Sequence, residues 1–135
     1  MRFYTILLIG FFFKTTFSFS QSIKLPEAVT NTATISLQRN GQSVIYTFFG
    51  LDVTKKWSGV HSKVFKVDVG NRRSILIGNV PDSLGRLASS VSAIKNKAYL
   101  AGGYTVFKSG KEKSSKRLSF LILRLKHLRK EVPCR

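Results

Sequence analysis

Apolar and polar residues alternate over short distances in this chain, and turn residues bound the runs. The first such run is Thr32 to Leu37, followed by "RNG", whose Asn40-Gly41 pair is a hairpin signal. Val44 to Phe49 is β-branched and aromatic and reads as a second strand. After a loop, "KVFKVDV" from Lys63 gives a third strand and "RSILIGNV" from Arg73 a fourth, which Pro81 stops. A longer apolar stretch, "KNKAYLAGGYTVF" from Lys95 to Phe107, has Gly102-Gly103 inside it. "GQSVIYTFFGLDV", Gly41 to Val53, is a weaker copy, with Phe49 in the place of the first glycine. The expectation is an all-β chain.

The copies belong to a longer repeat. Pro26 matches Pro81, Glu27 matches Asp82 and Ala33 matches Ala88, each 55 residues apart. Tyr46 matches Tyr99 and Gly50 matches Gly103, each 53 apart. Val132-Pro133 follows Val80-Pro81 at 52. Three marks at nearly one period define a unit of about fifty residues, and four short strands per unit of that length is a propeller blade.

"NKAYLAGGY" resembles the second strand of a Kelch repeat, which runs into Gly-Gly. "TFFGLDVTKKWSGVHSKVFKVDV" followed by "VPDSLGRLASSVSAIKNKAYLAGGYTVFKSGKEKSS" is similar to the exported Kelch proteins that share the fold of galactose oxidase. The resemblance covers Leu25 to about Lys116. It implies two four-stranded antiparallel blades of an incomplete propeller, about 25–80 and 80–117, the second incomplete. It places Gly50, Gly102 and Gly103 where strands crowd the propeller axis and no side chain fits. It implies a fragment, not functional alone, of an exported module that binds a protein or glycan, or else of a protein that at full length is a sugar-handling enzyme such as a sialic-acid mutarotase or epimerase.

The N-terminal segment, residues 1–20, has the layout of a secretory signal peptide. Arg2 supplies the basic start, Ile6 to Phe13 the apolar run, and Ser18-Phe19-Ser20 a small-x-small cleavage pattern before Gln21. The run is too short to span roughly 30 Å of hydrocarbon, and Lys14 interrupts it, so no stable membrane span is expected after cleavage. A secreted or periplasmic location follows. Cys134 is the sole cysteine, so no disulfide framework holds the fold, and no Asn-x-Ser/Thr sequon occurs.

Charge changes the picture mainly at the C-terminus. Lys and Arg number 23 against 6 Asp and Glu, a formal net charge of +17. Ten of those cations and two glutamates fall in Lys108 to Arg135, so +8 sits in the last fifth. In residues 118–135, Leu118, Leu121, Ile122, Leu125 and Leu128 share one face at helical spacing, which gives an amphipathic basic helix suited to an anionic membrane surface. A shifted reading frame from Arg117 permits a Kelch-type strand, turn and further strand ending on Val-Pro, and on that ground we read the tail as frameshifted. Its cations lack interleaved aromatics apart from Phe120, so nucleic acid is not the expected partner.

The candidate ligand-binding residues are Arg86, His61 and Trp57. Arg86, at the entry to an inner strand, can hold a carboxylate at the propeller mouth, though a surface salt bridge to Asp82 is the commoner fate. His61 follows Trp57 in the loop before the third strand, and its plainer role is a hydrogen bond to backbone. Asp52 and Asp68 read as turn residues. His61, His127 and Cys134 are too far apart for metal-ligand spacing, so no metal and no cofactor are expected, and the paired histidines and tyrosines of copper chemistry are not recognisable. No catalytic residue stands out. Two units cannot close a ring, so self-association through open sheet edges is expected.

Overall fold

The computed structural model describes residues 22–81, 84–95 and 97–116, together with the strand backbones of 118–123 and 128–130. Residues 1–20, read above as a signal peptide, and Asp82, His127 and Cys134 lie outside the described residues.

β1 (Ala33–Arg39) and β2 (Gln42–Leu51) form a hairpin closed by Asn40 and Gly41. Both turn residues have positive φ, 49° and 75°, the handedness that matches the twist of the flanking strands. β3 (Val60–Asp68) pairs with β2, and β4 (Arg73–Asn79) pairs with β3. The Asp68 carboxylate closes the β3–β4 turn by accepting the Asn71 backbone N–H and side-chain amide, both at 3.0 Å. These four strands make sheet I in sequence order. β3 begins three residues before Lys63, so His61 belongs to a strand rather than a loop.

Sheet II comprises β5 (Leu87–Ile94), β6 (Lys97–Val106), β7 (Glu112–Ser114), β8 (Leu118–Leu123) and β9 (Leu128–Lys130). Its order is β5-β6-β8-β9, with β7 also on β6. β7 pairs with Tyr104–Val106 and β8 with Lys97–Ala101, so the two lie end to end along one side of β6. Between them the Ser115 N–H donates to the Gly103 carbonyl at 2.8 Å. β7 and β8 together therefore occupy the place that β3 holds beside β2. The helical reading of the tail is corrected here: Leu118, Leu121, Ile122 and Leu128 lie in strands. Leu118 to Leu123 is an unbroken run of β-compatible residues beside an open edge of β6, and ladder pairing outweighs a helical rhythm carried by five leucines and isoleucines.

Pairing also corrects the repeat. Phe48 opposes Val64, and Ala101, 53 residues after Phe48, opposes Leu118, 54 after Val64. On the other side, Thr47 opposes Thr34 and Leu100 opposes Val91, so β1 and β5 correspond at 57 rather than 55. The first hairpin is two rungs longer, through Gln38/Ser43 and Arg39/Gln42. A slip of two keeps every side chain on its own face, so residue matching alone could not detect it.

The two sheets stack on a shared core. Ala33, Val44, Tyr46, Phe48 and Val64 of sheet I bury against Ala98 and Leu100 of β6, flanked by Ile35, Leu37, Ile77 and Val91. Burying each large side chain contributes roughly 1.5–3 kcal/mol, which makes this face the main source of stability. The chain crosses from β4 to β5 over the end of sheet I. Val80 N–H donates to the Ser62 carbonyl at 2.7 Å, Gly85 lies against His61, and Gly50 N–H donates to the Arg86 carbonyl at 3.1 Å. Residues 22–32 run across the opposite face of sheet I before entering β1. The Ser74 hydroxyl donates to the Lys24 carbonyl, Glu27 pairs with Lys63 at 2.6 Å, and Thr30 bridges to Leu51. The molecule is thus all-β, with two stacked antiparallel sheets and no closed ring.

Candidate functional site

The end of sheet I at which β2 gives way to β3 gathers most of the residues singled out from the sequence. The connecting loop closes on itself. The Asp52 carboxylate accepts the Thr54 N–H at 2.9 Å and the Thr54 hydroxyl at 2.5 Å. Asp52 N–H donates to the Gly59 carbonyl at 3.1 Å, and Gly59 N–H to the Lys56 carbonyl at 2.9 Å. The Thr54 hydrogen bonds hold the exposed Asp52 carboxyl below the ordinary carboxylate range. A single 3-10 turn, Trp57–Gly59, then leads into β3. It leaves Trp57 46% exposed and Val53 70% exposed, with Lys55 and Lys56 also at the surface. Among the three candidates, Trp57 alone offers a large face to solvent.

His61 is half-buried at the start of β3. Its Nδ1 accepts the Lys63 backbone N–H at 3.3 Å, and its ring meets Phe65 edge-on at 6.3 Å. Nε2 is shut off from solvent and has no hydrogen-bond partner among the described residues. The linker packs so closely on the start of β3 that a Cβ on Gly85 would sit 2.5 Å from the backbone nitrogen of His61. Burial, and then the Lys63 ammonium, push the His61 pKa below the ordinary 6.5. A neutral imidazole walled in this way is poorly placed to reach a ligand.

Arg86 is 3% exposed, and this corrects the expectation of a surface salt bridge. Its guanidinium carbon lies 5.1 Å from the centre of the Phe49 ring, and Nη1 reaches the Gly102 carbonyl at 3.5 Å. The linker therefore returns a buried cation between the two sheets, joined to Phe49 of one and Gly102 of the other. A desolvated cation–π contact of this kind is worth up to about 2 kcal/mol. Thr105 completes the seam, its hydroxyl donating to the Gly85 carbonyl at 2.5 Å.

The three glycines differ in what they need. A Cβ on Gly50 would lie 2.8 Å from the Thr30 carbonyl oxygen, and one on Gly103 2.2 Å from Ser89 Oγ and 2.7 Å from the Leu87 oxygen. No side chain fits at either. Gly102 is a correction: nothing lies within 4 Å of its Cβ direction, and its requirement is a φ of +66°. Phe49, its counterpart 53 residues earlier, adopts φ +59° with a full aromatic side chain.

Phe49 and the Glu27–Lys63 pair were not foreseen. A second feature also lies outside the expectations: an open concavity of about 300 Å³ lined by Lys66, Asp68, Asn71, Arg73 and Ile75, beside the β3–β4 turn. Its signal in the sequence was the alternation of charge and apolar residues across that turn. Among the described residues no group of three or more His, Cys, Asp or Glu is placed to hold a metal ion. No helix among them is long and apolar enough to cross a membrane. In comparisons with known proteins, no family model matches the chain and no curated protein matches it.

Proposed function

We propose that the chain is an exported binding module made of two blades of a Kelch-type propeller, which presents the 52–59 loop to a glycan or protein ligand. The observation that carries this reading is Trp57, an indole left open on a loop that its own hydrogen bonds hold in shape. An indole face offers apolar area to the C–H face of a sugar ring, and a preformed loop lowers the ordering cost of binding. Lys55 and Lys56 beside it favour a ligand with acidic groups. Two further observations support the blade assignment. Each sheet begins as an antiparallel meander with a left-handed residue pair at the same place in its second strand, and the chain passes from the outer strand of one sheet to the first strand of the next.

A glycan array probed with the chain and with Trp57→Ala tests the proposal. Saturable binding that drops by about tenfold or more in the variant, with unchanged folding, is the expected result. Equal binding by both proteins removes the loop from the site. Interconversion of sugar anomers, followed by NMR, would replace the binding module with the sugar-handling enzyme.

A further inference from the structure

The stacking of the two sheets contains a rule for adding a third. Val44, Tyr46 and Phe48 of sheet I face sheet II, and 53 residues later the same positions are Lys97, Tyr99 and Ala101. These share a face with Ser90, Ser92 and Ile94 by register. It is the face turned away from the core: Ser90, Ser92 and Ala101 are exposed and Ile94 is 60% exposed. β8 adds Leu118, Phe120 and Ile122 at the register positions of Ala101, Tyr99 and Lys97.

Within the chain, sheet I's core-facing surface receives Ala98 and Leu100 of sheet II. Their counterparts in sheet I, 53 residues earlier, are Ile45 and Thr47. The Ile45/Thr47 surface of sheet I, opposite its core-facing one, also carries Phe65 and Val67, and it is the one crossed by residues 22–32. Ile23, Leu25, Glu27 and Val29 alternate inward along the crossing, while Lys24, Pro26 and Ala28 are exposed. The strap is held by the Ser74–Lys24 hydrogen bond on β4, the Glu27–Lys63 pair on β3 and the Thr30–Leu51 bridge on β2. Both members of the ion pair are about a third exposed, so that latch is weak.

We infer that the strap is a removable cover, and that once it is displaced the Ile45/Thr47 face of one copy stacks on the Ser90–Ala101 face of a second copy. The contact repeats the geometry already present between sheets I and II. It is heterologous, with different surfaces on the two partners, so it propagates copy by copy until a ring closes or a filament grows. The strong positive charge of each copy opposes stacking at low ionic strength.

Light scattering on the full chain in about 0.5 M salt, where screening leaves a reach of roughly 4 Å, tests the inference. A strap-loosened variant, Ile23→Ser, Leu25→Ser and Glu27→Gln together, should assemble at a concentration about tenfold or more below the parent. Adding Ser92→Lys and Ala101→Lys, both at exposed positions, should return it to the monomer while circular dichroism shows the same strand content. Paired cysteines at Thr47 and Ser92 in the loosened chain should cross-link between copies. A loosened variant that stays monomeric with its strands intact overturns the inference. So does assembly unaffected by the two lysines, since that would be pairing through sheet edges.

Discussion

Two left-handed pairs, one in each sheet, are built from different residues on the same backbone. In sheet I the pair is Phe49-Gly50 with φ of 59° and 128°, and in sheet II it is Gly102-Gly103 with 66° and 81°. The second member of each pair faces backbone or side-chain atoms closer than 3 Å, so glycine is required at both. The first member faces nothing in sheet II, whereas in sheet I it is sealed beneath the linker that carries Arg86. A β-carbon in that conformation costs about 1–2 kcal/mol. Phe49 offsets the strain by complete burial and by the guanidinium against its ring. Position fixes the conformation; what lies overhead fixes the residue.

The largest effects should separate the two members of each pair. Gly103→Ala adds a Cβ into Ser89 and the Leu87 carbonyl at a strained φ, and should cost about 3 kcal/mol or more. Gly50→Ala meets the Thr30 carbonyl and the Thr32 methyl and should behave alike. Gly102→Ala should cost only about 1 kcal/mol, the conformational part alone. Denaturant melts of the three variants check this ordering. A Gly102 variant as unstable as the Gly103 variant would erase the distinction between steric and conformational need.

The next effect addresses the filled position. Phe49→Gly relieves the backbone but deletes a fully buried ring, so it should destabilise by about 3 kcal/mol, the range for emptying a core site. Arg86→Ala should cost about 2 kcal/mol through the lost ring contact and the cavity. If the two groups act as one seam, the double variant should lose at least about 0.5 kcal/mol less than the separate losses added together. Additivity would show that Arg86 stabilises the linker independently of Phe49.

The same seam marks how far the sequence could be read. The first four strands and the Asn40-Gly41 hairpin were legible because alternation and turn chemistry are local signals. The glycine pair announced a special backbone, and Gly50 and Gly103 are indeed sites of close approach. Phe49 looked like a failure of the motif, because its compensation comes from Arg86, 37 residues away and across a linker. Arg86 itself looked like a mouth residue for the same reason, since no local pattern reveals that a charge will be buried against an aromatic ring. The tail misled because Leu118 to Leu123 satisfies a helical and a strand rhythm equally, and only the open side of β6 decides between them. The offset of 57 between β1 and β5 was hidden by the two extra rungs of the first hairpin.

The smallest expected effect sharpens the comparison at its margin, where His61 lies beside Gly50 and the linker. The groups that act on it are Lys63 on its own strand, Glu27 on the strap and Asp52 in the preceding loop, while the packed linker offers the Gly85 backbone. Burial and Lys63 depress its pKa below 6.5, so between the folded value and 6.5 the unfolded chain binds more protons than the folded one. Stability is therefore undiminished above 6.5 and falls as the pH drops through that window. Because the imidazole is only half-buried, the loss should stay under about 1 kcal/mol. Asp52 and Asp68 act in a separate window: their pKa values are depressed by hydrogen bonds to Thr54 and Asn71, so their contribution is present above 3.8 and is lost as the pH falls through the folded values. Chemical denaturation of His61→Gln across both windows should show a flat profile just below 6.5 and an unchanged acid limb. Sheet II has Ser115 at the position equivalent to His61 and so has no titrating counterpart. A slope below 6.5 that survives the substitution would place the pH sensitivity outside the seam altogether.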